Sequence, residues 1–495
     1  MAIAKVCGIE TEYGIDPRGM GEKNPIAASS VLINAYVSDL QRKVGWDFED
    51  ESPGNDARGF AREGSAAPEV ETHLVNAVLT NGARYYVDHA HPEFSTPECL
   101  DALECLRYDR AGEQILVQSM AAVERLLPPG QDIVIYKNNS DRKGNSYGTH
   151  ENYLVDRQVP FAKLVQHVMP HFVTRGIYTG AGKVGTEAPT GDLEVPFQLT
   201  QRADFFEEEV GLETTIKRPI VNTRDEPHAD AQKYRRLHVI VGDANLAEVA
   251  TFLKVGVTSI VLAMIEDDWF ADRDFTLAAP VQCIRRVSYD LDLNHPLELA
   301  DGRRMTALDL QWEYHDLARK YADDRGLAAV GEAVGADVLR RWEHVLTGLE
   351  TDPSSLSGQL DWVAKYRLLD GYRERHGLRW SDPRLAAMDL QYHDLRPGRS
   401  LFARLGTERL VSEESVAAAV SEPPTGTRAY FRGRCLQRWA SSIAAANWDS
   451  IVFDLGGDPL RRVPMMEPLK GTAEMVDSLL EGCPSPAALL DRLGA

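Results

Sequence analysis

The sequence predicts an α+β fold, with one large mixed domain followed by a small C-terminal one. Strand-like and helical segments are intermixed without the regular alternation of a doubly wound sheet. An Asn81-Gly82 pair lies between two β-prone runs, which marks an antiparallel hairpin with a primed turn. From Met305 to about Tyr392 the pattern is mostly helical, with Trp342, Trp362 and Tyr366 as expected packing residues.

Composition narrows the class. The 495 residues exceed one ordinary core, and the 43% hydrophobic and 26% charged shares are those of a globular chain with a sizeable interior. No run approaches about 18 consecutive apolar residues and the start carries no signal peptide, so no membrane partner and a cytoplasmic location are expected. Six cysteines without a CxxC pair predict buried free thiols rather than a zinc site or disulfides. A net charge of −21 argues against nucleic acid as a partner.

Taken in order, Lys5 to Gly14 reads as a strand and Pro25 to Val44 as a helix. Residues 46–71, rich in Gly, Pro, Ala and charge, read as a long mobile loop and a candidate substrate gate. The hairpin follows, its second strand putting Arg84, Tyr86 and Asp88 on one face. A helix is expected from Glu98 to about Leu127, then strands over Ile133–Lys137, Tyr147–Val155 and Leu237–Gly242, then a helix over Leu246–Ile265. Pro423-Pro424 marks a linker, which divides the chain into 1–424 and 425–495. Beyond it, strand-like runs at Arg428–Arg432 and Trp448–Leu455 precede an amphipathic helix.

Four segments could carry chemistry. Glu10 and Glu12 share a strand face, where two carboxylates are comfortable only in water or beside a cation such as magnesium. Asp88, His89, His91 and Glu93 lie together; the strand should end before Pro92, letting Glu93 turn back toward the sheet face. Asp88 there could act as nucleophile or general base. His150 and Asn152 share a face opposite Glu151, and Arg236 and His238 share another, offering metal and phosphate contacts. Each segment also has a plain alternative, a solvated strand face or a structural charge network. Neither a P-loop nor a GxGxxG after a strand is present, so a nucleotide would be held by carboxylates and arginines on a sheet.

Long strings in one order carry a resemblance: GIETEYG (8–14), TNGARYYVDHAHPEFSTPEC (80–99), YKNNSDRKGNSYGTHENYLV (136–155), IVNTRDEPHADAQKYRRLHVIVGD (220–243) and TRAYFRG (427–433). The chain resembles the Pup ligase and Pup deamidase/depupylase family, relatives of glutamine synthetase and other carboxylate–amine ligases. The loop at 46–71 and the string VDHAHPE resemble the deamidase/depupylase branch. The resemblance implies a glutamine-synthetase-like domain with a mostly antiparallel curved sheet packed by helices, and a small C-terminal α/β domain contributing to the nucleotide site.

It further implies Asp88 as the catalytic residue, Glu10, Tyr86, Glu93, His150 and His238 as magnesium ligands, and Arg84, Thr96, Asn152, Arg236 and Trp448 as contacts to a retained ATP. Glu12 matches a paired strand carboxylate of the wider superfamily. The expected activity is deamidation of the C-terminal Gln of Pup and cleavage of the Pup–lysine isopeptide bond, with Pup and pupylated proteins as partners and a monomeric enzyme. Lys217, Arg218, Lys233 and Arg235 offer a positive strip for acidic Pup. Two other readings stay open, a ligase forming the same bond and a non-catalytic Pup-binding regulator.

Overall fold

The structure is a computed structural model describing all residues except 22, 39, 41, 42, 50, 62–73, 192, 271, 272, 458 and 495. Its frame is a curved sheet of ten strands. In chain order these are β1 (Cys7–Glu12), β2 (Val44–Trp46), β3 (Asn76–Val78), β4 (Arg84–Asp88), β5 (His91–Ser95), β6 (Thr149–Asp156), β7 (Tyr234–Val239), β8 (Ile443–Ala446), β9 (Ser450–Phe453) and β10 (Arg461–Pro464). Across the sheet the order is β7-β6-β1-β5-β4-β3-β2-β8-β9-β10. Every pairing is antiparallel except β2 with β8, where the C-terminal segment joins.

Alternation gives the sheet two unlike faces. Cys7, Ile9 and Thr11 of β1, Tyr85 and Val87 of β4, Phe94 of β5 and Tyr153 of β6 are buried on one face. Against it pack the helices α1 (Pro25–Ser38), α2 (Ala102–Glu124) and α3 (Glu248–Glu266). Asp101 caps α2 by accepting from the Glu104 N–H at 2.8 Å. The other face carries the polar residues and is left to the functional site.

Glu151 is the exception that proves costly to the apolar side. Pointing away from His150 and Asn152, it is fully buried and held by a fork from Arg175, 2.6 and 2.8 Å. The Tyr153 hydroxyl and Thr258 complete the cluster.

Several expectations need correction. Helix α1 ends at Ser38, and Val44 belongs to strand β2. The hairpin forms, but its turn has three residues: Gly82 N–H donates to Leu79 O, Leu79 N–H to Ala83 O, and only Gly82 has positive φ (83°). This is a type I turn closed by a left-handed glycine, not a primed two-residue turn. Arg428–Arg432 opens a helix, α4 (Ala429–Trp439), rather than a strand; its Tyr, Phe, Cys, Leu and Trp bury one face at helical spacing.

The stretch taken as a loop is ordered at its start. After β2, Asn55–Asp56 pairs with Phe60–Ala61, and the backbone bonds Ala57 N–H to Thr223 O and Asp225 N–H to Asn55 O fasten it to the body. The remainder of that expectation, residues 62–71, lies outside the described residues. At the expected division of the chain, Pro423 and Pro424 are buried. Among the described residues one helix, α3, is long and apolar enough on average to cross a membrane, though its polar residues leave no run of 18 apolar ones, and all of its apolar window is buried in the fold. All six cysteines are free and buried, as expected.

Beside the main core, a second hydrophobic cluster joins Tyr430, Phe431, Leu436 and Trp439 of α4 to Val44, Trp46 and Val78 of the N-terminal strands. Replacing Arg175 by Met should leave Glu151 as an uncompensated buried charge and lower the unfolding free energy by about 3–5 kcal/mol. A urea titration followed by circular dichroism measures the loss; an unchanged midpoint would contradict it.

Candidate active site

Five neighbouring strands put their polar residues on one face through their register. Glu10 stands between Ser95 and His150, Glu12 faces Glu93, Tyr86 faces Glu93, Asp88 faces His91, and Asn152 faces His238. As the sequence predicted, β4 ends before Pro92; a tight turn with His89 at positive φ returns the chain, and Glu93 comes back onto the face from β5.

Two groups of potential ligands result. Donor atoms of Glu10, His150 and His238 lie within 4.8 Å of one another, and so do those of Glu12, Asp88 and Glu93. Asn152 organises the first group: its Nδ2 donates to Glu10 Oε1 (2.8 Å), and its Oδ1 accepts from Arg236 Nη1 (3.0 Å) and lies 3.1 Å from His238 Nδ1. Gly148 N–H donates to Glu12 Oε1 at 2.9 Å, and a Cβ at residue 148 would collide with the His150 ring and the Glu12 carboxylate.

The electrostatics separate the carboxylates. Burial works against ionising Glu10, but His150, His238 and Arg236 hold its carboxyl well below the ordinary range. Burial and the charge of Asp88 push Glu12 up, and burial with Asp88, Glu12 and Glu10 pushes Glu93 well above the ordinary range. Burial opposes ionising Asp88 too, yet His89 (Nδ1 3.0 Å away), His150 and Arg84 keep its pKa low. Three carboxylates in mutual contact are the donor set of a hard cation such as magnesium. The Glu10–His150–His238 set is richer in nitrogen and suits a transition ion equally well. Burial holds His238 well below its usual pKa, with Arg236 adding to the effect, so its imidazole is neutral and free to donate a lone pair.

The face opens into two adjoining cavities. The larger, a polar cleft of about 1530 Å³, is lined by Glu10, Arg84, Tyr86, Asp88, Glu93, His150, Arg236, His238 and Trp448 among others. The smaller, about 580 Å³ and apolar, takes in Gly8, Thr96, Asn152, Leu154, Arg428 and Pro468. Glu10, His228, Arg236 and Trp448 line both. All eleven predicted site residues therefore line one or the other. Thr96 spends its Oγ1 accepting from the Ile9 N–H (3.0 Å), so it shapes the apolar end. The Arg84 guanidinium lies 3.9 Å from the centres of both the Trp46 and Tyr86 rings. Of the proposed positive strip, Lys233 pairs with Asp230 and Glu467 and Arg235 with Asp225, while Arg218 donates to Thr214 O and Ser146 O.

Sequence reasoning missed part of the wall. Phe48, Glu51, Pro53 and Gly54 line the polar cleft from the segment assigned to a loop, and Glu226 accepts from the Ser52 N–H. It also missed the clamp around Glu98. Glu98 takes Arg428 Nε at 2.7 Å and the Arg432 guanidinium; Arg428 in turn donates to His228 O and Met465 O, and Arg432 to Trp448 O. Both ends of this clamp stood inside strings already singled out, but 330 residues of chain separate them.

Comparison with known proteins follows the same lines. The family model described as Pup-ligase protein matches residues 5–452. A protein named depupylase from Acidothermus cellulolyticus is 53% identical, over 99% of this chain and 99% of its own. One named Pup deamidase/depupylase from Mycobacterium tuberculosis is 48% identical, again over 99% of each. A Pup–protein ligase from Sanguibacter keddieii is 39% identical over 97% of this chain and 100% of its own. A solved complex of Pup with its ligase superposes with a TM-score of 0.81 at 33% identity, covering 99% of this chain and 94% of that one. A Pup ligase in complex with ADP gives 0.75 at 37%, covering 82% and 90%.

The clamp has a pH signature. Burial opposes it, but Arg432 and Arg428 bring Glu98 from its ordinary 4.5 down to about 2. A depressed carboxylate contributes stability in full above its unfolded pKa and loses it as pH falls through the folded one, here from about 4.5 toward 2. Between about pH 5 and 3, wild type should lose more stability than Glu98→Gln. Parallel urea midpoints for the two proteins would contradict the assignment.

Proposed function

This chain belongs to the Pup-ligase protein family, and we propose that it is the family's hydrolase, deamidating the C-terminal Gln of Pup to Glu and cleaving the isopeptide bond between Pup and a substrate lysine. The observation that carries the direction is the identity gap: the relatives named for depupylation stand at 48–53%, the ligase relative at 39%. The observation that carries the chemistry is an ionised Asp88 at the mouth of a carboxylate cluster, beside a cavity with one apolar and one polar compartment.

In this reading ATP lies across both compartments. Thr96, Asn152 and Trp448 border its nucleoside, and Arg84 and Arg236 meet its phosphates with forked donors. The ADP complex of a related ligase supports nucleotide binding here. Glu10, Tyr86, Glu93, His150 and His238 would hold magnesium, which when bound would polarise the scissile carbonyl and neutralise phosphate charge. Of these, Glu93 belongs to the carboxylate group, whose donors suit that ion, while Glu10, His150 and His238 form the nitrogen-rich group, a less usual donor set for it.

Asp88 does the proton or nucleophilic work. His89, His150 and Arg84 keep it ionised, and its side chain retains 26% exposure, enough to meet an amide entering from solvent. It either attacks the carbonyl carbon or takes the proton of the attacking water, and the leaving group departs as ammonia or as the lysine amine. Arg236 would support the developing oxyanion.

We place the domain division at 1–424 and 425–495, the latter lending Trp448 and Arg428 to the cavity wall. Six unpaired buried thiols suit a reducing compartment, and we assign the protein to the cytoplasm.

The decisive assay supplies purified protein, ATP and magnesium with Gln-ended Pup and with a pupylated protein. Release of ammonia and of free Pup is expected. Joining of Glu-ended Pup to a lysine, with neither release, would establish the ligase instead. Asp88→Asn should reduce turnover by at least about 100-fold while leaving nucleotide affinity within a few-fold; a pure binding protein would show no turnover to lose.

A further inference from the structure

Strand β4 ends at Asp88 and β5 begins at His91, so His89 and Ala90 alone make the reversal between them, with Asp88 opposite His91 in the register. His89 takes a φ of 50°, the left-handed region that glycine or asparagine occupies with least strain. A histidine persists there only where its surroundings hold it.

The turn is held from three sides. Ser29 of α1 donates its hydroxyl to Ala90 O at 2.9 Å, His91 Nδ1 donates to Tyr13 O at 3.0 Å, and the His91 ring stacks on Tyr147 with 4.3 Å between centroids. The His89 side chain then reaches back over the strand end. Its Nδ1–H donates to Asp88 Oδ2 at 3.0 Å, a bond that an ionised carboxylate can only accept, and both residues line the polar cleft.

Among the described residues no other hydrogen bond reaches the Asp88 carboxylate. Against the burial that opposes its ionisation, His89 acts through a bond, whereas His150 and Arg84 act through charge alone. The two influences differ in kind. Charge favours the ionised form whichever way the carboxylate is turned, but a bond sets its plane, since the last torsion of an aspartate is otherwise broad.

We propose that His89 is a positioning residue for Asp88: its Nδ1–H holds one carboxylate oxygen and thereby aims the other at the scissile amide carbon or at the attacking water. This rests on the hydrolytic reading of Asp88 above and adds the device that directs it. The strained backbone at His89 is then explained, because a glycine would relieve the strain but supply no donor.

Turnover of Gln-ended Pup and of a pupylated protein by wild type, His89→Gly and His89→Asn tests this. Glycine keeps the left-handed backbone and removes the donor, while asparagine tolerates the same backbone and returns an N–H near the place of Nδ1. His89→Gly should lower kcat about tenfold or more in both reactions with KM changed by less than about twofold, and His89→Asn should recover most of the loss. A raised KM with kcat intact would make His89 a substrate contact and overturn the proposal, as would wild-type kcat in His89→Gly or an asparagine variant no better than the glycine one. Thermal unfolding midpoints that fall in step with kcat across the two variants would show a structural role and overturn it as well. Wild type with neither activity, or Asp88→Asn at full turnover, would sink the reading of Asp88 itself, a result distinct from any behaviour of the His89 variants.

Discussion

Pairing β1 between β5 and β6 brings Glu10, Glu12 and Glu93 to adjacent rungs of one sheet face, and Asp88 joins them from β4. Like charges so close oppose one another, and burial makes the opposition worse. The rest of the site is arranged to manage that cost. Histidines and Arg236 offset Glu10, the Gly148 N–H holds Glu12, and Glu93 is left with a raised pKa that a cation would bring down. A one-residue slip of β1 would send both glutamates into the apolar face, so the register is fixed by the core as firmly as by the site.

That core is built around a second managed charge. Because Asn152 and His150 point to the site, Glu151 must point inward, and Arg175 exists to receive it. The polar face thus imposes a buried ion pair on the opposite face. Removing either partner strands the other, which is why such pairs bind sequence positions together even where they add little net stability.

The C-terminal segment closes the apolar end of the cavity. Its strands extend the sheet through the parallel β2–β8 pair, and Glu98 grips Arg428 and Arg432 so that Trp448 and His228 border both cavities. The branch is separated by overall likeness to the proteins named for depupylation.

By itself the sequence determined which residues share a strand face, because a period of two is a local property. It thereby marked Glu10, Arg84, Tyr86, Asp88, His150, Asn152, Arg236 and His238 before any fold was known. The strand end before Pro92 added Glu93, the family resemblance supplied Thr96 and Trp448, and all of these line the two cavities. What it misread was also local: a three-residue turn for a two-residue one, and a helix at 429–439 whose aromatic residues imitate a strand. Only the tertiary structure decided how those faces meet. Contacts between Glu98 and Arg428, or between Ser52 and Glu226, join residues 330 and 174 positions apart, and no pattern in the chain encodes such a distance.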